Sequence, residues 1–129
     1  MAIQYTCKSD GDILLIKASG VSQDLEEAKR FSAAIAQTAR VSGNLHVLCD
    51  ESEVIYQIGL VDTYEAASYF AEQAPHLAKV AVVRPFEGFQ DAKFWETVAV
   101  NRGLIARVFS DADQARQWLN NGNGFGEPN

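Results

Sequence analysis

The sequence holds few of the features that mark a membrane, secreted or nucleic-acid-binding protein. No apolar run approaches the ~20 residues needed to span a bilayer, so no stable membrane insertion is expected. The first residues, Met-Ala-Ile-Gln-Tyr-Thr-Cys-Lys, lack a basic n-region and an apolar h-region, and no secretory signal is read there. Lys and Arg number 11 against 17 Asp and Glu, a formal net charge of −6, and they form no cluster. That balance argues against nucleic acid and against anionic membrane surfaces. Cysteine is scarce. Cys7 and Cys49 both fall in expected strands, and each reads as reduced, buried and structural in a cytoplasmic chain. The two cysteines and the two histidines, His46 and His76, match no zinc spacing, so no metal site is assigned. No glycine-rich loop precedes a helix, because Gly59 and Gly88 stand singly; there is no phosphate cradle and no cofactor is implied.

What is present is an ordinary globular composition. Hydrophobic residues make up 47% and charged residues 22% of 129 residues, enough for the core of one domain. That domain is expected over residues 1–120, followed by a flexible tail, residues 121–129, of Gly, Asn and Pro composition.

Ile3, Tyr5 and Cys7 alternate with polar residues and predict an edge strand. Ser9-Asp10-Gly11-Asp12 is a turn, and Ile13 to Ala18 a second strand, antiparallel to the first. Asp24 with Glu27 forms a capping box before a helix with the stripe Leu25, Ala28, Ser32, Ile35 and Ala39. Leu45 to Cys49 reads as a central strand with an acidic loop at its carboxyl end. A second helix carries Leu60, Tyr64, Ala67, Ala71 and Ala74 up to Pro75. Lys79 to Val83 is a strand, Phe89 to Arg102 a helix stopped by Gly103, and Leu104 to Phe109 a strand. Ser110 is expected to cap the last helix.

This ββαβαβαβα order predicts an α/β fold. Its sheet has five strands, mostly parallel, with an antiparallel N-terminal edge strand, and helices mainly on one face. One strand face reads Leu14, Ile16, Leu45, Val47, Val80, Val82, Leu104, Ala106 and Val108. The other carries Lys17, His46 and Arg107 among its apolar residues, which marks that face as only partly covered.

Three segments, Val47 to Val54, Lys79 to Val83, and Arg107-Val108-Phe109-Ser110-Asp111 running into Ala115 and Trp118-Leu119, carry a resemblance. With them the chain resembles the SpoIIAA-like branch of the STAS superfamily, which includes bacterial anti-sigma factor antagonists and cytoplasmic domains of sulfate transporters. The resemblance implies a SpoIIAA-like fold and a non-enzymatic regulatory role. Regulatory members look like Asp-x-Ser-x-Val followed by an Asp-Ser dipeptide and Gly-Leu at a helix N-terminus, with the dipeptide's serine phosphorylated. Here Asp50, Ser52 and Val54 match the first part and Gly59-Leu60 the end. Gln57-Ile58 stand where the dipeptide would be, so the resemblance implies a lost switch, or one moved to Ser52 or Thr63.

No catalytic residue is assigned. Cys49 and His46 lie three apart on one strand and project to opposite faces. Asp50, Glu51, Glu53 and Asp62 are expected to form a solvated acidic loop, since nothing in the sequence would desolvate one of them. Two functions stand open. One is an interaction module, pairing with a protein partner or a second copy in a homodimer. The other is a carrier of a small hydrophobic ligand beneath the third helix, implied by the likeness of the SpoIIAA-like fold to the lipid-binding domain of CRAL-TRIO proteins. Phe86, Phe89, Phe94, Trp95 and Val98 form the candidate ligand or partner surface, because they widen the apolar arc of that helix beyond a single stripe.

Overall fold

A computed structural model describes residues 2–121. The expected tail falls almost wholly outside them. The chain runs β1 (Gln4–Asp10), β2 (Ile13–Ser22), α1 (Leu25–Ser42), β3 (His46–Tyr56), α2 (Leu60–Gln73) and β4 (Lys79–Val83). A short 3-10 turn, Phe86–Gly88, then leads into α3 (Phe89–Asn101), β5 (Ala106–Phe109) and α4 (Ala112–Asn120). The five strands lie side by side in chain order. β1 is antiparallel to β2, and every later pairing is parallel. Gly11 sits at φ 62 in the hairpin turn, a backbone region that a Cβ disfavours.

α1, α2 and α3 are the crossovers between parallel neighbours that always advance in one direction. Right-handed connections therefore place all three on one face. Leu14, Ile16, Val47, Cys49, Val80, Val82, Ala106 and Val108 meet them from the sheet. α4 follows the last strand, has no further strand to reach, and folds onto the other face. There Ala115 and Leu119 pack with Ile13, Leu48, Ala81, Val83 and Phe109. Buried Lys79 helps to fix it. Its Nζ donates to the Trp118 backbone oxygen at 2.7 Å and lies 4.8 Å from the Trp118 ring centroid. A cation there meets the carbonyl-rich end of α4.

α4 is the helix on this second face. Lys17 and Arg107 are exposed and His46 is partly buried. Lys17 Nζ pairs with Asp50 Oδ2 at 3.2 Å, and burial together with the Lys79 charge pushes the His46 imidazole below its ordinary pKa. Asp24 does cap α1, accepting from the Glu27 backbone N–H at 2.8 Å. The Glu27 carboxylate, however, turns to the Ile3 N–H at 2.7 Å instead of closing the capping box.

Several expectations are corrected. Cys7 is exposed, because it lies on the edge strand β1, every residue of which is exposed. Asp111, not Ser110, caps α4, accepting from Asp113 N–H at 2.8 Å. Of the stripe expected on α2, Ala67, Ala71 and Ala74 face the core, joined by Ala66 and Phe70, while Leu60 and Tyr64 face outward. Its apolar residues fill more than one stripe, and the stripe bearing the larger Phe70 side chain takes the core.

Candidate functional site

β3 continues well past Cys49, so Asp50 and Ser52 lie within a strand, and the connecting loop shrinks to Gln57, Ile58 and Gly59. The expected acidic loop is corrected with it. Along β3, Val47, Cys49 and Glu51 alternate onto the helix-covered face, and Glu51 is only 8% exposed. Directly after it the pairing with β2 slips: Lys17 lies opposite Asp50, but Ser19 lies opposite Glu53. This is a bulge with one extra residue in β3. It shifts the inward parity from odd to even, so that Val54 and Tyr56 also point under the helices.

A bulge leaves backbone carbonyls without ladder partners, and buried ones must be satisfied elsewhere. Arg84 does this. It continues the inward series Val80, Val82, Arg84 at the carboxyl end of β4 and is 6% exposed. Its Nη1 donates to the backbone oxygens of Glu51 at 3.0 Å and Val54 at 2.9 Å, and its guanidinium lies 5.1 Å from the Tyr56 ring centroid. Gly88 gives the guanidinium room, since a Cβ there would collide with Nη2.

These groups form one end of a pocket of about 310 Å³ between the sheet and α1, α2 and α3. The other end is apolar, lined by Phe31, Ile35, Val47, Phe70, Val80 and Trp95. Phe70 and Trp95 hold each other there, ring centroids 6.0 Å apart. Burial pushes the Glu51 carboxyl above its ordinary pKa, with Arg84 and hydrogen bonds from Cys49 and Tyr56 opposing in part. The Cys49 Sγ lies 3.4 Å from Glu51 Oε2, and burial with the Glu51 charge raises its thiol well above 9.0. The Tyr56 phenol is raised well above 10.0, chiefly by burial. The cluster can therefore give and accept hydrogen bonds, but its thiol is not an ionised nucleophile. Among the described residues, no group of three or more His, Cys, Asp or Glu is placed to hold a metal ion.

The expected aromatic surface divides. Trp95 lines the pocket and Phe89 packs against the core. Phe94 is partly buried, and Val98 is a buried core residue with no part in a surface. Phe86 alone stands out, 88% exposed on the turn before α3. Sequence reasoning placed Glu51 in a solvated loop and missed Arg84, though the series 47, 49, 51 and 80, 82, 84 would have turned both inward had the strands been extended.

Neither a protein-family model nor a curated protein matches the sequence. Solved structures do. One is an anti-sigma factor antagonist from Mycobacterium paratuberculosis, similar over 90% of this chain and 92% of that one, with a TM-score of 0.62 and 14% identity. The chain has the SpoIIAA-like fold. A second structure of this fold, an uncharacterized protein from Shewanella loihica PV-4, is similar over 92% of this chain and 94% of that one, with a TM-score of 0.59 and 17% identity. Within this SpoIIAA-like chain, Gly59 precedes the first turn of α2, and Thr63 in that turn donates from Oγ1 to the Gly59 oxygen at 2.9 Å. Ser52, exposed on β3, donates from Oγ to Asp50 Oδ1 at 2.7 Å. No helix among the described residues is long and apolar enough to cross a membrane.

Proposed function

We propose that this chain is a non-enzymatic regulatory module of the STAS type that takes up a small, mostly apolar molecule between its sheet and α1–α3. The observation that carries this reading is the 310 Å³ pocket, apolar at one end and polar at the other. That combination of mainly apolar walls and a few converging polar groups is the usual make-up of a small-molecule site. The un-ionised Cys49 thiol supports a binding role over a catalytic one. In this reading the phosphorylation switch is lost, since Gln57-Ile58 offer no hydroxyl; stoichiometric phosphorylation of Ser52 or Thr63 in a cell extract would contradict that. Free cysteines suit a cytoplasmic location. Native mass spectrometry of gently purified protein tests the main reading. It should show a bound mass that is shed on denaturation, or uptake from an added lipid extract. Unliganded protein under both conditions would sink it.

A second reading rests on a different observation. Leu60 is 62%, Val61 73% and Phe86 88% exposed, all just beyond the carboxyl ends of parallel strands. Apolar surface left at one end of a fold fits a protein contact, with a second copy or another partner. The anti-sigma factor antagonist of the same fold supports this class of role. The same spectra separate monomer from dimer, and Leu60→Asp with Phe86→Asp should abolish any dimer while leaving the melting temperature unchanged.

A further inference from the structure

The charge pattern of the pocket selects its ligand, if the ligand-binding reading above holds. Four charged residues line it: Glu51, Arg84, Glu87 and Asp91. Glu51 and Arg84 are buried, whereas Glu87 and Asp91 are exposed at the rim. With Glu51 ionised, the buried pair sums to zero. A ligand head placed beside it is desolvated with it, and a charged head would leave one buried charge without a counter-charge, which is strongly unfavourable. The rim carboxylates further oppose an anionic head. An ammonium head would meet the guanidinium once inside.

The pair is nevertheless equipped to bind a neutral head. Nη1 of Arg84 is committed to the Glu51 and Val54 oxygens, and its Nε and Nη2 meet no acceptor among the described residues. Glu51 receives hydrogen bonds from Cys49 and Tyr56, and a carboxylate has about four acceptor positions in all. A donor and an acceptor thus stand together at the bulge of β3 and the carboxyl end of β4. The apolar part of the pocket extends from them toward the paired residues Val47 and Val80.

We infer that the pocket takes a neutral amphiphile. Its head, a hydroxyl or amide, carries both a hydrogen-bond donor and an acceptor and sits between Glu51 and Arg84; its apolar tail runs toward Val47 and Val80 beneath α2 and α3. This excludes a carboxylate-headed lipid as the preferred ligand.

The test is calorimetric titration at neutral pH with three probes of equal chain length: 1-octanol, octanoate and octylammonium. Wild-type protein should bind octanol at least about tenfold more tightly than either ion. Ala92→Phe, which places a ring in the pocket, should abolish octanol binding. Glu51→Gln keeps the volume but leaves Arg84 uncompensated, and should shift preference toward octanoate by at least about tenfold. Equal or tighter octanoate binding by the wild type overturns the inference and leaves the ligand-binding reading standing; so does a Glu51→Gln variant with unchanged preference. No binding of any probe, or octanol binding that survives in Ala92→Phe, overturns both.

Discussion

Arg84 closes the bulge of β3 at Glu51. Its Nη1 donates to the Glu51 backbone oxygen at 3.0 Å, and its charge offsets part of the cost of burying the Glu51 carboxylate. One side chain thus satisfies the backbone and balances the charge at the polar end of the pocket. Removing it leaves both unpaired. Arg84→Met should therefore destabilise the protein by about 3–5 kcal/mol in urea denaturation, the range for breaking a buried charge pair on one side. Arg84→Lys should recover less than half of that loss, because an ammonium lacks the planar fork that spans two carbonyls and stacks on Tyr56. A loss below about 1 kcal/mol for Arg84→Met would mean that the bulge carbonyls find water instead.

Glu51 makes stability depend on pH in a direction opposite to that of a salt-bridged carboxylate. Burial raises its folded-state pKa above the ordinary 4.5, so the folded protein holds this proton more tightly than the unfolded chain. The contribution is fully present below about pH 4.5 and is lost as pH rises through the folded-state value. Wild-type stability relative to Glu51→Gln should fall across that window and level off above it. A difference that stays flat would show that Glu51 is solvated, and one that climbs with pH would show that the Arg84 charge outweighs burial.

The two sheet faces should respond differently to truncation. Val47→Ala and Val82→Ala remove methyl groups packed under α1–α3 and should each cost ~1–3 kcal/mol. Lys17→Ala and Arg107→Ala lie on the partly open face, and the Lys17–Asp50 pair is solvent-exposed; each should cost less than ~1 kcal/mol. Equal losses in both sets would mean that the second face is covered as fully as the first.

Strand order, helix placement and the uneven covering of the sheet were legible because they follow from alternation, crossover handedness and the position of three charged or polar groups, Lys17, His46 and Arg107. The phase of α2 was legible in its second half, where Ala67, Ala71 and Ala74 meet the core, and not in its first. There Leu60, Val61 and Tyr64 compete with Ala66 and Phe70, and the ring contact of Phe70 with Trp95 favours the second set. The polar end of the pocket was hidden for another reason. Acidic residues after Cys49 read as a loop, whereas the strand runs on to Tyr56. Its bulge, which turns Val54 and Tyr56 inward, leaves no mark in a single sequence. Arg84, one residue past a run of five strand residues, read as the start of a loop although its parity matches Val80 and Val82.

The most direct measurement is a methyl-resolved NMR titration with toluene, a neutral apolar probe smaller than the pocket. Binding at this site predicts saturable shifts at Ile35, Val47, Val54, Val80 and Val82, little change at Ile13, Leu48 and Val83 on the opposite face, and loss of the effect in Ala92→Phe. The absence of saturable shifts, or shifts of equal size on both faces of the sheet, would contradict a ligand pocket beneath α2 and α3.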